Sequence, residues 1–341
     1  MKKVITLIIT AALLLAVMLC SVSCSKTSVA NTEYTSEDPL VIKISHPDSE
    51  SNVHQSSFEA FRDYVEEETD GRVKVEIYPN GVLGGDQELM LMIATNEVQM
   101  AEFGTSVLNC IGDKFCILDL PFLFSSWDTM NEAVTGELGD LYNSFLEEEG
   151  YYGLAFMWDG SKTISNNKRP INTIEDMEGL KIRITDADMY KQTLDCLGAN
   201  PTPMSWGDIY SGLQQGTIDG MDVPAISTYS NGWHETIKYW SLTNHHMSNT
   251  AIVTSKKFMD SLPADIREII EKGAKTYLQE QDRKKAKAAE EEAIEAMKEA
   301  GVQVNEVQDL EPFKKAVQPV YDTYRERLGD EIMDKVESYR K

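Results

Sequence analysis

Apolar residues change their period several times along the chain, and each change marks an element. Leu40-Val41-Ile42-Lys43-Ile44-Ser45 is a β-rich run closed by His46-Pro47, after which Phe58, Phe61 and Val65 recur at helical spacing. Arg72 to Tyr78 then alternates, with Val73, Val75 and Ile77 on one face, and ends at the turn residues Pro79-Asn80-Gly81. Leu89 to Ile93 reads as a helix and Gln99 to Phe103 as a short strand. Strand, helix, strand, helix, strand predicts an α/β domain with a largely parallel sheet covered by helices.

A second α/β unit begins near Gly160. Leu180, Ile182 and Ile184 alternate with Lys181, Arg183 and Thr185, so a strand here sends its apolar residues to the core and Arg183 the other way. Helices are expected over 187–197 and 205–215, separated by a turn cluster at 198–203, with a short strand at 218–222. From Pro263 to Ala300 there is no internal proline and a single glycine, Gly273, and Gly301 stands at the capping position. Such a stretch makes one helix of roughly 57 Å at about 1.5 Å per residue, long enough to cross two domains. Two helices broken near Gly273 are the alternative.

The N-terminus has its own pattern. Met1-Lys2-Lys3 precedes an apolar run from Val4 to Leu19, too short to span a bilayer comfortably, and Ser21-Val22-Ser23-Cys24 follows. This reads as a secretory signal with a lipoprotein-type cleavage site. The similarity to a bacterial lipobox is imperfect, since Ser21 stands where leucine is usual. Residues 25–38 are polar and without period, as a tether would be.

With 341 residues, 56 acidic against 32 basic, the formal charge is -24. That field repels phosphate backbones and excludes nucleic acid as a partner. It also disfavours anionic ligands unless a few placed cations reverse it locally. Beyond the signal the cysteines are Cys110, Cys116 and Cys196, with no CxxC pair, which is poor support for a zinc or redox site. Cys110 and Cys116 read as small buried thiols, a disulfide between them being the alternative.

The common enzyme signatures G-x-S-x-G, G-x-x-x-x-G-K-[ST], G-x-G-x-x-G and H-E-x-x-H do not occur. His245-His246 is adjacent rather than at metal-ligand spacing, and neighbours on a regular helix or strand cannot both face one ion. Polar surface or supporting roles are expected of them, with no metal and no cofactor. One cation stands out. Arg183, on its alternating strand, is followed by Asn200-Pro201-Thr202-Pro203-Met204-Ser205-Trp206, where a guanidinium could bind a carboxylate with two parallel hydrogen bonds and Trp206 could wall a cleft. From composition alone, a surface salt bridge and a core tryptophan remain the favoured reading of these two residues.

The run Tyr78-Pro79-Asn80-Gly81-Val82-Leu83-Gly84-Gly85-Asp86 and then Asp119-Leu120-Pro121-Phe122-Leu123-Phe124 resembles the DctP-type solute-binding proteins of tripartite ATP-independent periplasmic (TRAP) transporters. So do Gly179-Leu180-Lys181-Ile182-Arg183, Gly198-Ala199-Asn200-Pro201-Thr202-Pro203-Met204 and Asp219-Gly220, in order from about Ile42 to Gln279. The resemblance implies a two-lobed α/β binding protein of the periplasmic type, not an enzyme, with an interdomain cleft and a long helix crossing both lobes. Residues 1–23 would be the signal peptide and 24–38 the tether lipid-anchored through Cys24. Residues 39–159 with 248–285 would form lobe I, and 160–247 with 286–341 lobe II.

By the same resemblance Arg183 takes the position of the carboxylate-binding arginine and Trp206 that of an aromatic against the ligand. Asp208 and Tyr210 fall where a glutamate and a tyrosine usually stand, and Gln87 and Glu88 lie in a loop that often contributes from the first lobe. His46 is a further candidate. Two departures matter. Val223, in Gly220-Met221-Asp222-Val223-Pro224, replaces an asparagine that often bonds the ligand, and Lys162 stands for a second arginine in Trp158-Asp159-Gly160-Ser161-Lys162. These argue against sialic acid. Asp159 and Asp222 would accept hydroxyls and repel a second carboxylate, so a sugar acid such as a uronate or hexonate is preferred over a dicarboxylate. The expected partners are that small carboxylate and the membrane permease subunits, with the protein a lipid-anchored extracytoplasmic monomer. A lipoprotein that presents its ligand to a membrane receptor is the alternative role.

Overall fold

The computed structural model describes residues 33–340, apart from the side chain of Cys110. The expected signal segment, Cys24 and most of the tether lie outside these residues. Tyr34 already packs against a hydrophobic cluster, and Thr35 and Asp38 close a small turn, so the folded body takes up the chain from Tyr34 rather than from residue 39. No helix among the described residues is long and apolar enough to cross a membrane.

One mixed sheet runs through the protein. On one flank β1 (Leu40–Ser45) pairs in parallel with β2 (Val73–Tyr78) and β3 (Met100–Gly104). On the other, β5 (Lys181–Ile184) pairs in parallel with β6 (Asn200–Pro203) and β7 (Gly220–Val223). The flanks are joined by two long antiparallel strands, β4 (Tyr151–Asn166) and β8 (Tyr239–Ser255), giving the order β2-β1-β3-β8-β4-β7-β5-β6, with β9 (Gln303–Glu306) on β8. This is the expected α/β, two-lobed periplasmic-binding arrangement.

The expected strands and helices of the first flank are present, with helices at Val53–Glu68 and Asp86–Thr95. Residues 200–203, read as a turn, instead form an edge strand. Pro201 and Pro203 are tolerated there because one side of the strand has no partner to bond. The 264–299 region is helical without interruption: α-helix at Ala264–Gly273, π-helix at Ala274–Gln281, α-helix at Asp282–Glu299. Gly273 is therefore not a break. A Cβ on it would meet the Tyr64 ring at 2.8 Å, so glycine lets this helix lie close against Val53–Glu68.

The apolar groups form three clusters. One holds Ile42, Phe58, Phe61, Val65 and Ile270 under the first flank; another gathers Ile209, Met221, Trp233 and Trp240 in the second. The largest includes Phe115, Cys116, Tyr142 and Tyr190 together with Tyr321 and Tyr324 of the C-terminal helices, and the Tyr321 hydroxyl donates to the Pro121 carbonyl at 2.9 Å. Cys116 is a buried free thiol and Cys196 a half-buried one.

Candidate functional site

Arg183 projects from β5 and is buried. Its Nε and Nη2 donate to the Met204 carbonyl at 3.0 and 2.9 Å, and its guanidinium lies 5.7 Å from the ring centre of Trp206. Burial pulls its pKa down to about 10, opposed by the charges of Asp222 and Asp86, so it stays a cation. Half-buried Trp206 stands edge-on to Trp233 at 4.8 Å. The chain just after β6 thus both holds the arginine and covers it.

Across from Arg183, on the first flank, the acid is Asp86 at the start of the Asp86–Thr95 helix. Burial raises its pKa and Arg183 opposes the rise. The loop singled out from the sequence supplies this acid, while Gln87 and Glu88, the residues named in it, lie elsewhere on its surface. Gln87 and Glu88 are exposed, and the Glu88 carboxylate accepts the Gly85 N–H at 3.2 Å, closing the helix N-terminus. Asp208 and Tyr210 are exposed as well. Asp208 accepts the Ser205 hydroxyl at a helix start, a capping role, and no described contact brings either residue to Arg183. His46 is buried, stacked on Phe58 at 5.0 Å and bonded through Nε2 to Gln55 Oε1 at 2.8 Å. Burial depresses its pKa to about 4, so it is a neutral wedge beneath the end of β1.

Lys162, on β4, is buried with its ammonium 4.0 Å from Asp222 Oδ2 and 4.0 Å from the centre of the Tyr190 ring. His245 Nε2 lies 3.3 Å from Asp222 Oδ1, while its Nδ1 pairs with Thr243 Oγ1 at 2.9 Å. Burial alone would raise the Asp222 pKa; Lys162, then His245, overcome this and hold it well below the carboxylate range. His246 stacks on Tyr190 and His245, and burial, with His245 beside it, keeps it neutral. Asp119 accepts the Thr105 hydroxyl at 2.8 Å, its pKa pushed by burial to about 6.

Against expectation, then, the adjacent histidines are neither surface residues nor turned apart. Asn244 takes the left-handed conformation at φ 44°, and β8 slips in register between Ser241 and His246. That irregularity turns both rings to one place, where with Asp222 their ligand atoms lie within 4.8 Å of one another. Asp222, His245 and His246 are the donors that could hold a metal. Lys162 already supplies positive charge beside Asp222.

A second buried polar group adjoins the first. Asp159 accepts from Ser227 Oγ at 3.1 Å and Ser248 Oγ at 3.0 Å; Asp48 accepts from Asn231 Nδ2 at 3.2 Å. Glu102 on β3 is buried, facing Thr250 of β8 on the same side of the sheet. His54 Nδ1 pairs with Asp282 Oδ2 at 2.9 Å in the long helix. Arg183, Trp206, Lys162, Asp159 and Asp222 are thus placed in the interior between the flanks. Asp48, Asp86, Glu102, Asp119 and Tyr190 were not singled out, and His245 was given only a surface or supporting role. Only Asp86 and Asp119, inside the motif runs, carried any sequence signal.

A two-flanked sheet joined by long crossing strands, with buried cations and carboxylates gathered where the flanks meet, is the arrangement expected of a solute-binding protein of the periplasmic type. Residues 44–327 match the DctP family, described as Bacterial extracellular solute-binding protein, family 7, and the chain belongs to that family. It is 32% identical, over 88% of its own length and 91% of the relative's, to the C4-dicarboxylate-binding periplasmic protein DctP of Rhodobacter capsulatus. Among solved structures it is similar to a TRAP periplasmic solute-binding protein from a Sulfitobacter species with bound β-D-galacturonate. There the TM-score is 0.83 and the identity 29%, covering 88% of this chain and 99% of that one. A second, from Chromohalobacter salexigens with bound D-glucuronate, gives a TM-score of 0.84 and 28% identity, covering 87% and 99%. The protein is a TRAP-type solute-binding protein, extracytoplasmic and not an enzyme.

Proposed function

We propose that this protein captures a sugar acid, a uronate or hexonate, and delivers it to TRAP permease subunits as a lipid-anchored monomer. The carrying observation is the buried, charged Arg183, braced on the Met204 carbonyl and facing Asp86 from the opposite flank. A guanidinium so held forms two parallel hydrogen bonds to a carboxylate, and Asp86, Asp159 and Asp222 accept hydroxyls while repelling a second carboxylate. The bound galacturonate and glucuronate of the two similar structures support the sugar-acid reading, as does a galactonate complex at TM-score 0.85 and 25% identity.

The dicarboxylate reading draws on the names of relatives from Rhodobacter capsulatus and Bacillus subtilis, and the excess of carboxylates in the interior weighs against it. In a thermal-shift screen of the mature protein, glucuronate, galacturonate and gluconate are expected to stabilise it and succinate and malate are not. Stabilisation by the dicarboxylates alone would overturn the reading. The lobes are 39–159 with 248–285, the first extended back to Tyr34 by its packing, and 160–247 with 286–341, joined by the β4–β8 pair and closing on the ligand. Anchoring rests on Cys24 behind its short apolar run, the diacylglyceryl group of a lipoprotein supplying the two chains that stable attachment needs. Cys24→Ser should move the protein from the membrane to the soluble fraction, and a wild type already soluble would refute the anchor.

A further inference from the structure

The bulge that carries Asp159 and Lys162 into the site is itself held from outside the sheet. β4 slips in register between Trp158 and Gly160, and β7 joins its other edge only from Thr163 onward. The Ser161 N–H between these points therefore has no strand to bond. Glu290 of the long helix accepts it at 2.5 Å, and the Ser161 hydroxyl and the Trp158 indole N–H face the same carboxylate. A backbone N–H left unpaired where water is largely excluded costs as much as a lost hydrogen bond, so an acceptor is needed here, and a helix side chain supplies it.

Glu290 differs from the acids around it. Glu291, Glu292 and Glu295 of the same helix are exposed, while Glu290 turns in against the bulge. The fit is close. Gly160 lies in the left-handed region at φ 120°, and a Cβ on it would meet Pro224 at 2.8 Å and Glu290 Oε1 at 3.3 Å. The carboxylate thus sits where the bulge passes the end of β7. It is bonded one residue before Lys162 and two after Asp159, beside the proline two residues after Asp222.

The helix that carries Glu290 is a fixed frame. Asp282 pairs with His54 at 2.9 Å, and Arg283 donates to Asn131 Oδ1 at 2.6 Å and to Asn249 Oδ1 at 2.9 Å, tying this part of the helix to two first-flank helices and to β8. About two turns further on, Glu290 reaches the bulge. A single rigid element therefore sets the place of Lys162 relative to the first flank.

We propose that Glu290 is a positioning residue for the ligand: without touching it, the carboxylate fixes the Gly160–Lys162 bulge and so sets the Lys162 ammonium and the Asp159 carboxylate against the bound sugar acid. This rests on the sugar-acid reading of the site. Arg183, braced separately on the Met204 carbonyl, keeps its place when Glu290 is removed. A loosened bulge then leaves the ligand's carboxylate anchored and its other polar groups without fixed partners, and a binding constellation that drifts by roughly 1 Å loses most of its strength.

The test is calorimetric titration of the full mature protein with D-glucuronate and D-gluconate, alongside unfolding midpoints measured without ligand. Glu290→Ala is expected to bind at least about tenfold more weakly than wild type. Glu290→Gln keeps an oxygen for the Ser161 N–H and is expected to bind within about threefold of wild type. Val336→Ala, at a buried residue of the C-terminal helix with no part in the site, should lower the midpoint and leave affinity unchanged, which separates positioning from stability. Glu290→Ala bound within threefold of wild type overturns the proposal and leaves the sugar-acid reading standing. So does Glu290→Gln as weak as Glu290→Ala, or Val336→Ala that weakens binding as much as either. If Glu290→Ala does not fold, Glu290→Asp, which withdraws the carboxylate by one methylene, replaces it: binding about tenfold weaker than that of Glu290→Gln supports the proposal, and equal binding overturns it. If neither sugar acid binds wild type, the underlying reading falls and takes this one with it.

Discussion

Removing the Arg183 guanidinium tests the site at its centre. In Arg183→Ala a ligand carboxylate would be buried between the flanks beside Asp86 and Asp222 with its main countercharge gone. Truncating one partner of a buried, hydrogen-bonded charge pair costs about 2 to 5 kcal/mol, or roughly 30-fold to several-thousand-fold in affinity. The fold loses less. Arg183 makes two hydrogen bonds to one carbonyl and stacks near one tryptophan, while its burial was already costly enough to pull its pKa to about 10. Unliganded stability should drop by about 1 to 3 kcal/mol. Titration calorimetry reads the first effect and thermal unfolding without ligand the second. Arg183→Lys keeps the charge but loses the planar fork, so it too should weaken binding substantially. In a thermal shift, ligand at 100 times its Kd stabilises wild type by about 2.7 kcal/mol, very roughly 5 to 10 °C, and Arg183→Ala should lose most of that at the same concentration. Binding within threefold of wild type would refute the assignment and make Lys162 the anion contact. Arg169 cannot take that role, since its Nε and Nη2 are spent on the Asp176 and Glu178 carbonyls.

Lys162→Met leaves Asp222 buried without its first countercharge and should cost about 3 to 5 kcal/mol in denaturant unfolding, partly recovered by adding Asp222→Asn; an unchanged midpoint would show that the 4.0 Å pair does not matter. Gly220→Ala places a Cβ 1.9 Å from the Ser165 carbonyl, where β7 meets β4, so a fall of at least about 2 kcal/mol is expected, and wild-type stability would contradict the packing. Stability should also fall as pH rises from about 7 to 9, above the range in which the buried neutral His46 and His246 act in the opposite direction. Asp48 and Glu102 are raised by burial to about 6 and about 8. His54, which burial alone would lower, is raised by Asp282 and Glu102 to about 10. Each group binds its proton more tightly folded than unfolded, so its contribution is complete below its ordinary pKa and lost as pH climbs to the raised one. Melting temperatures flat from about pH 7 to 9 would refute this.

What could be read from the sequence follows from how each element is buried. Leu40–Ser45 and Val73–Tyr78 have clear ends, and Val53–Glu68 shows one apolar stripe, so pattern and structure agree. The two longest strands, β4 and β8, escaped because they are covered on both faces over much of their length, which removes alternation, and because glycine, serine, asparagine and histidine interrupt them. The helices at 127–148 and 311–337 have ordinary amphipathic character but carry no motif and drew no reading. Arg183 was legible because a lone cation on an alternating strand is rare. Glu102 was not: one glutamate among 56 acidic residues carries no signal until the fold shows that it is buried.

The irregularities that hid β4 and β8 are also what build the site. A regular antiparallel pair would point alternate residues to opposite faces, separating Asp159 from Lys162 and His245 from His246. The register shifts between Trp158 and Gly160 and between Lys162 and Ile164, with the left-handed Asn244 across from the second, break that alternation at the crossing between the flanks. Each shift inserts backbone that neither strand alone can bond. Side chains repair part of the loss: Thr163 Oγ1 accepts the Thr243 N–H at 2.9 Å, and the Ser161 N–H is taken by Glu290 of the long helix. Bulges of this kind re-aim side chains at a cost in ladder hydrogen bonds, and here they turn charged groups inward where the two flanks are joined. Regularising the pair by deleting Asn244 should therefore raise the order of β8 while releasing His245 from Asp222. A crystal structure of the variant that still held His245 Nε2 near Asp222 would show that the bulge is not what positions it.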